Sequence, residues 1–210
     1  MNQPSAFKPA WWFKNQHIQS CFGFLFRHHA NVPVQWEELI LPDGDFIDIA
    51  WCGDQQAPPV LLLHGLEGSI RSHYMQYLLD SIISGGYQVA IMHNRTCSGR
   101  LNSLSKAYHA GDNGDFRYFM EVLANRFPER DFLAIGFSLG GNLLLHYMAT
   151  NKQAPIRAAM AISTPFELEK CARQTASIYR WNLLSSMKHK MTQKTLMGMP
   201  MPISAEEIHA

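Results

Sequence analysis

The sequence predicts a mostly parallel β-sheet covered by helices on both faces and opened by an antiparallel hairpin, which is an α/β fold. Three features indicate it: short apolar runs that recur along the chain, amphipathic segments of helical period between them, and turn residues at the junctions. The chain has 210 residues, of which 47% are apolar and 17% charged, enough for one well-filled globular domain. We therefore expect a single domain.

The first elements form the hairpin. Two β-rich runs, residues 36–41 and 46–52, flank Pro42-Asp43-Gly44, which has the composition of a tight turn. Residues 60–63 follow Pro58-Pro59 and are continuously apolar, as expected of a strand that is buried on both faces of a parallel sheet. Such a strand needs helices on both sides.

Helices and strands then alternate along the chain. A helix follows Ser72, a plausible N-cap, and ends at Gly85-Gly86. A second helix starts near Asp115 and ends before Pro128. The remaining segments are predicted as strands at 87–92, 132–136 and 156–162 and as a helix at 139–150.

The character of the chain changes after Thr164-Pro165. Residues 166–196 are predicted as two helical stretches, rich in Ser, Lys, Arg and Gln, with no strand between them. We interpret this segment as a lid. Residues 197–204 have the Pro and Gly content of a loop.

Composition narrows the classes of partner. The 18 basic and 17 acidic side chains leave a formal charge of +1 without any long basic cluster, so we expect no nucleic-acid partner. The four cysteines form no C-x-x-C pair, which predicts neither a zinc site nor a disulfide framework and favours a reducing compartment. No secretory leader and no long apolar stretch is recognisable, so we expect a cytoplasmic protein without stable membrane insertion.

The strongest chemical signal is Gly136-Phe137-Ser138-Leu139-Gly140, which has the G-x-S-x-G pattern. It lies between a predicted strand and a predicted helix, where a nucleophilic serine occupies a sharp turn, and Gly136 and Gly140 leave room for strand and helix to pass. The amide of Leu139, at the start of the helix, points toward any oxyanion formed at Ser138. By itself the motif is also compatible with an ordinary Gly-rich turn.

A second motif, His64-Gly65-Leu66-Glu67-Gly68, directly follows the third strand. This is where serine hydrolases of such a fold carry the second oxyanion donor, and Leu66 is the candidate amide. His64 precedes the predicted nucleophile in the chain, so we expect it to hold the loop by hydrogen bonds rather than to act as the general base. Gly65 supports the tight loop.

Four motifs in order resemble those of the YheT-like α/β-hydrolases: residues 64–69 (HGLEGS), 94–99 (NRTCSG), 108–111 (YHAG) and 136–142 (GFSLGGN). The resemblance runs from about Phe7 to the lid. It implies the α/β-hydrolase fold and hydrolysis of carboxylic esters with short or medium acyl chains, with Ser138 as nucleophile. It implies an Asp and a His on two later strand-to-helix loops, a small-molecule ester as substrate, and no cofactor.

The later part of the chain departs from that pattern. No aspartate follows Asp131, and the later acids are Glu167, Glu169, Glu206 and Glu207. His146 is two turns along the same helix as Ser138, roughly 12 Å away at 1.5 Å per residue, while His189 lies in the lid and His209 stands two residues from Glu207. We therefore expect an incomplete domain that lacks the last two strands, with an exposed sheet edge through which the chain self-associates.

Two other functions remain open at this point. The chain could be a non-catalytic remnant that binds acyl ligands, or it could transfer the acyl group to an alcohol instead of water.

Three further features have plainer interpretations. Asp43, Asp45 and Asp48 fit a solvated hairpin better than a metal site, and no metal is expected. Cys97 is expected in a loop beside the pocket rather than as a nucleophile. The aromatic stretches 11–13 and 22–26 are expected to pack on the sheet.

Overall fold

The structure of the protein, a computed structural model, describes residues 8–15, 18–19, 22, 32–175 and 177–201, without the side chains of residues 177 and 178. Its strands are β1 (Val34–Ile40), β2 (Phe46–Cys52), β3 (Pro59–Leu63), β4 (Gln88–Met92), β5 (Phe132–Phe137) and β6 (Ile156–Ile162). Its α-helices are α1 (His73–Ser84), α2 (Gly114–Arg126), α3 (Leu139–Thr150), α4 (Leu168–Gln174) and α5 (Ser177–Leu196). A short 3₁₀ helix spans Trp11–Phe13.

The described strands form one sheet in the order β1-β2-β4-β3-β5-β6. Strand β1 pairs with β2, and β2 with β4, in antiparallel fashion, while β4, β3, β5 and β6 run parallel. The predicted fold class, a mostly parallel sheet opened by an antiparallel hairpin, is confirmed.

Helices cover both faces of the sheet, as the continuously apolar strands require. On one face, α2 and α3 bury Phe116, Phe119, Leu123 and Leu144 in a common core with the hairpin. On the other face, α1 buries Met75 and Leu79. Every residue of β3 and β4 is buried, which explains why β3 is apolar throughout and β4 is apolar after Gln88.

Most element limits agree with the sequence to within two residues, and α3 and β6 agree fully. The largest difference is β1, which begins at Val34 and ends before Leu41. Leu41 instead closes the hairpin turn, because its N–H donates to Asp45 O at 2.8 Å and its carbonyl accepts the Gly44 N–H at 2.9 Å.

The segment after β6 is helical, as predicted, and consists of α4 and α5. Strand β6 lies at one end of the described sheet, and its middle residues, from Arg157 to Met160, are exposed.

Within the described residues, no helix is both long and apolar enough to cross a bilayer. The expected packing of the aromatic stretch 11–13 on the sheet is wrong for Trp11 and Trp12, which are 82% and 56% exposed. Residues 23–26 of the second aromatic stretch lie outside the described residues.

Candidate active site

The candidate site lies where the parallel strands end. Loops follow the carboxyl ends of β3, β4 and β5, and parallel pairing brings these ends to one edge of the sheet. This edge is where α/β proteins place their ligands. The motif of residues 64–68 forms the loop after β3. The motif of residues 136–140 spans the end of β5, the turn at Ser138 and the start of α3.

Ser138 lies on the tight turn between β5 and α3, with φ of 50° and ψ of −115°. A non-glycine residue rarely adopts this conformation, and it persists only when its surroundings hold it in place. Here the Ser138 N–H donates to Ile162 O at 2.8 Å, and the Ser138 carbonyl accepts the Asn142 N–H at 3.1 Å. The turn therefore presents a half-buried serine hydroxyl at the start of a helix.

The glycines of this motif are required by close backbone approach. A Cβ on Gly136 would lie 2.5 Å from Gly140 O, and one on Gly140 would lie 2.6 Å from His64 O. Neither position accepts a side chain without displacing backbone. Leu139 is the first residue of α3, so its N–H is among the four that have no acceptor within the helix.

The loop of residues 64–68, which we call the oxyanion loop after the role predicted for the Leu66 amide, contacts the serine turn. A Cβ built on Gly65 would lie only 3.2 Å from Ser138 Cβ. The Gly65 N–H donates to Tyr74 Oη at 3.1 Å, and the Gly65 carbonyl accepts the Gly68 N–H at 3.0 Å. The structure thus brings the loop that carries Leu66 against Ser138, and the role of the Leu66 amide stays a prediction.

His64 is buried and holds two loops together. Its Nδ1 lies 2.7 Å from Gly65 O, and its Nε2 accepts the Asn94 N–H at 3.1 Å. Burial lowers the pKa of His64 to about 4, so the ring is neutral at pH 7, with the proton on Nδ1. Both ring nitrogens are occupied by backbone groups, an arrangement that suits a side chain holding the loop.

His93, which the sequence analysis did not single out, has a similar place at the end of β4. It is fully buried, its Nε2 accepts the Ile70 N–H at 3.0 Å, and its Nδ1 lies 3.2 Å from Asp48 O. Burial, reinforced by His64, lowers its pKa to about 3. The sequence did contain a signal for this residue, since a histidine directly follows each of the two strands β3 and β4.

Glu67 is the most heavily bonded side chain of the oxyanion loop, and sequence analysis assigned it no role. Its Oε1 accepts Tyr108 Oη at 2.9 Å, and its Oε2 accepts Ser186 Oγ at 2.5 Å and Lys190 Nζ at 2.7 Å. Burial alone would raise the pKa of Glu67, but the bonds from Lys190 and Ser186 outweigh burial and lower it. The carboxylate is therefore charged at neutral pH.

The acidic residues of the hairpin pair with arginines. Arg95 is buried and donates to Asp45 at 2.8 Å and to Asp115 at 2.7 Å, and it also pairs with Asp43 at 2.8 Å. Arg100 pairs with Asp48 at 2.5 Å. Asp45 and Asp48 are buried, so the expectation of a solvated hairpin is wrong for these two residues. In the described residues no three His, Cys, Asp or Glu side chains converge as a metal site.

Cys97 is buried beside Lys190, whose Nζ lies 3.9 Å from its Sγ. Burial raises the pKa of Cys97 to about 11, so its thiol stays protonated at neutral pH. A protonated, buried thiol is a poor nucleophile. Cys97 lies in the loop after β4, next to Thr96, which lines one of the two cavities described below. The sequence analysis expected it in a loop beside the pocket.

Two cavities of about 540 Å³ each lie along α5. One is mainly apolar and is lined by Leu66 of the oxyanion loop and by Leu183, Leu184 and Met187 of α5. The other lies between Tyr108 and the side chains of Met187 and Met191. Helix α5 therefore separates two spaces that both border the oxyanion loop.

The later histidines and glutamates that the structure describes are all exposed. His146 and His189 are exposed on α3 and α5. Glu167 pairs with Lys170, and Glu169 pairs with Arg173 at 2.7 Å, both on the surface. The remaining candidates lie outside the described residues: Glu206, Glu207 and His209.

Comparison with known proteins places this geometry in a family. A family model described as alpha/beta hydrolase fold matches residues 58–185. Over 199 residues the chain is 35% identical to the Escherichia coli (strain K12) protein named "Putative esterase YheT", covering 90% of this chain and 58% of that protein. It is 25% identical over 165 residues to human (Homo sapiens) Phospholipase ABHD3, covering 73% of this chain and 40% of that protein.

A solved structure shows the same fold. The Pyrococcus furiosus esterase Pf2001 matches with a TM-score of 0.59 at 22% identity, over 75% of this chain and 65% of that one. The chain spans between 40% and 58% of the length of the two curated relatives named above.

Proposed function

The chain belongs to the α/β-hydrolase fold family, and on this premise we propose that it is a serine hydrolase for carboxylic esters with short or medium acyl chains. One observation carries the proposal: Ser138 occupies a strained strand-to-helix turn directly against the oxyanion loop. In this fold such a turn exposes a nucleophilic serine beside backbone amides.

The proposed reaction is acyl transfer to water. Ser138 Oγ attacks the ester carbonyl carbon, and the amides of Leu139 and Leu66 donate hydrogen bonds to the oxygen that becomes negative. The proton of the serine hydroxyl passes to the departing alcohol through a general base. Water then attacks the acyl-serine, the acid leaves, and a proton from water returns to Ser138 Oγ. Serine acyl transfer of this kind needs no metal or cofactor.

The acyl chain would occupy the cavity that Leu66 lines. Its apolar lining comes from Leu66, from Ala172 of α4 and from three residues of α5, with charged side chains of both helices beside them. Its volume of about 540 Å³ is typical of small-molecule sites. Two relatives are named an esterase and a phospholipase, which supports an acyl ester as the substrate class and a role in lipid metabolism.

The proposal is tested by hydrolysis of p-nitrophenyl butyrate. Three proteins are compared: this chain, its Ser138→Ala variant, and a form extended through any reading frame that follows codon 210. The extended form is included because the chain spans 58% of its Escherichia coli relative. Ser81→Ala, on the outer face of α1, is the matched control.

The proposal is supported if hydrolysis is abolished by Ser138→Ala and preserved by Ser81→Ala. This holds whether the activity is found in the 210-residue chain or in the extended form. Activity only in the extended form means that the acid and the base come from outside these 210 residues. Hydrolysis that survives Ser138→Ala contradicts the proposal.

A specific observation favours a second function, non-catalytic binding of acyl ligands. Both buried histidines near the serine turn, His64 and His93, use their ring nitrogens for backbone groups, which leaves neither free to accept the serine proton. Binding of a radiolabelled fatty acid without turnover of any ester, in both forms of the protein, would favour this second function.

A further inference from the structure

Glu67 sits at a strained point of the oxyanion loop, immediately after Leu66. Its φ is +55°, a conformation that few non-glycine residues adopt. A residue stays there only when the surrounding structure holds it. The contacts of Glu67 therefore affect the direction of the N–H of Leu66, the residue before it.

Those contacts close a ring with Tyr108. The Glu67 N–H donates to Tyr108 Oη at 2.8 Å, and the same hydroxyl donates to Glu67 Oε1 at 2.9 Å. One tyrosine thus holds both the backbone and the side chain of Glu67. A rotation of the backbone at this residue would break both bonds.

The second carboxylate oxygen reaches across to helix α5. Ser186 and Lys190, which are one turn apart on α5, both donate to Oε2. The side chain of Glu67 is 7% exposed and that of Lys190 is 21% exposed. Water screens an ion pair so shielded only weakly, and removing one partner is costly because it leaves the other charge buried without compensation.

We propose that Glu67 is a positioning residue that sets the oxyanion loop and couples it to helix α5 through Lys190. The proposal rests on the proposed function in so far as the Leu66 amide is an oxyanion donor. Displacement of α5 removes two of the three side-chain donors to Glu67 and lets the loop relax. The position of α5 then controls the geometry of the site.

Hydrogen exchange tests the coupling without any need for turnover. In Lys190→Met, exchange in a peptide covering residues 64–70 should be about tenfold faster, the effect of losing one charge-assisted hydrogen bond. Lys188→Met, two residues earlier on the same helix and on a different face, is the matched control. A peptide from β3, which is fully buried, reports any global destabilisation.

Unchanged exchange in the 64–70 peptide of Lys190→Met, or an equal change in Lys188→Met, overturns the coupling. Faster exchange in the oxyanion loop with an unchanged β3 peptide supports it. Both outcomes are independent of whether the protein is an esterase.

Steady-state kinetics test the positioning role of Glu67. They are measured on whichever form of the protein is active, the 210-residue chain or the extended one. In Glu67→Gln, kcat should fall by about 10-fold to 100-fold with little change in KM, because a displaced oxyanion donor weakens the transition state more than substrate binding. Tyr108→Phe should act in the same direction. In the double variant Glu67→Gln/Lys190→Met, the loss should be smaller than the product of the two single losses, because the pair acts as a unit.

A change in KM alone, or losses that multiply independently, contradicts the positioning role. Absence of turnover in every form counts against the proposed function, while the exchange measurement still decides whether Glu67 joins the loop to α5.

Discussion

At the scale of single residues, backbone crowding determines what the serine turn accepts. The carbonyl of Gly140 and the Cα of Gly141 lie 2.5 Å and 2.7 Å from the position of a Cβ on Gly136. Rotating a side chain cannot relieve such a contact, because the atoms in the way belong to the backbone and the backbone itself would have to move. The G-x-S-x-G pattern was recognisable in the sequence for the same reason, since only glycine fits there.

Gly136→Ala should lower the free energy of unfolding by about 1–3 kcal/mol, the usual cost of overpacking. Gly111→Ala is the matched control, because a Cβ there meets nothing closer than the His109 ring at 3.5 Å. Urea denaturation followed by circular dichroism measures both. Equal stability of the two variants would show that the turn is not crowded as described.

The lowered pKa values of the two buried histidines predict how the free energy of unfolding depends on pH. Their folded pKa values, about 4 for His64 and about 3 for His93, lie below the unfolded value near 6.5. Their contribution to stability is therefore fully present above pH 6.5 and is lost as the pH falls toward about 4 for His64 and about 3 for His93. Each histidine contributes a slope of up to about 1.4 kcal/mol per pH unit in that range.

Urea unfolding at pH 7 and pH 5 measures this slope. His93→Gln should flatten it, while Ser81→Ala, which changes a non-titrating side chain at an exposed position of α1, should leave it unchanged. An identical slope in His93→Gln and the unaltered chain would show that His93 is not protonated on unfolding.

Residues whose role depends on partners far away in the chain were harder to identify from the sequence. Ser138 and its glycines were identified because their geometry is local to a few consecutive positions. Glu67 bonds to Lys190, 123 residues later, and Arg95 bonds to Asp45, 50 residues earlier. No local pattern reports such pairs, so the sequence could not distinguish Glu67 from any polar loop residue.

At the scale of elements, buried charge joins the hairpin to the rest of the domain. Arg95, in the loop after β4, reaches the hairpin turn through Asp43 and Asp45 and the first turn of α2 through Asp115. The side chain of Arg95 is 1% exposed. Strands and helices were largely predictable because their apolar period is local, whereas this connection between them was not.

Arg95→Met should destabilise the protein by about 3–5 kcal/mol, because it leaves buried carboxylates without a counter-charge. Arg173→Met should change the stability little, since Arg173 and its partner Glu169 are 78% and 79% exposed and surface pairs contribute little. Thermal unfolding of both variants provides the comparison. Equal losses would mean that the burial of Arg95 does not matter.

At the scale of the whole molecule, β6 is one of the two edge strands of the described sheet. In the described residues β6 pairs only with β5, and Met160 on this strand is 57% exposed. An exposed strand edge with apolar side chains favours pairing with another chain. We therefore predict that the 210-residue chain self-associates through β6.

Analytical ultracentrifugation across a concentration series measures this association. Met160→Lys should shift the chain toward monomer, while Leu196→Lys, at an exposed position at the end of α5, should not. A chain that is monomeric throughout the series would contradict the prediction.

Identification of the residue that reacts with a fluorophosphonate probe tests the central claim, that Ser138 is the nucleophile of a serine hydrolase. The chain and its extended form are treated with the probe, digested, and analysed by mass spectrometry. The account predicts an adduct on Ser138, within the peptide that spans the turn between β5 and α3, and its loss in Ser138→Ala. An adduct on another residue, or labelling that persists in Ser138→Ala, would contradict it.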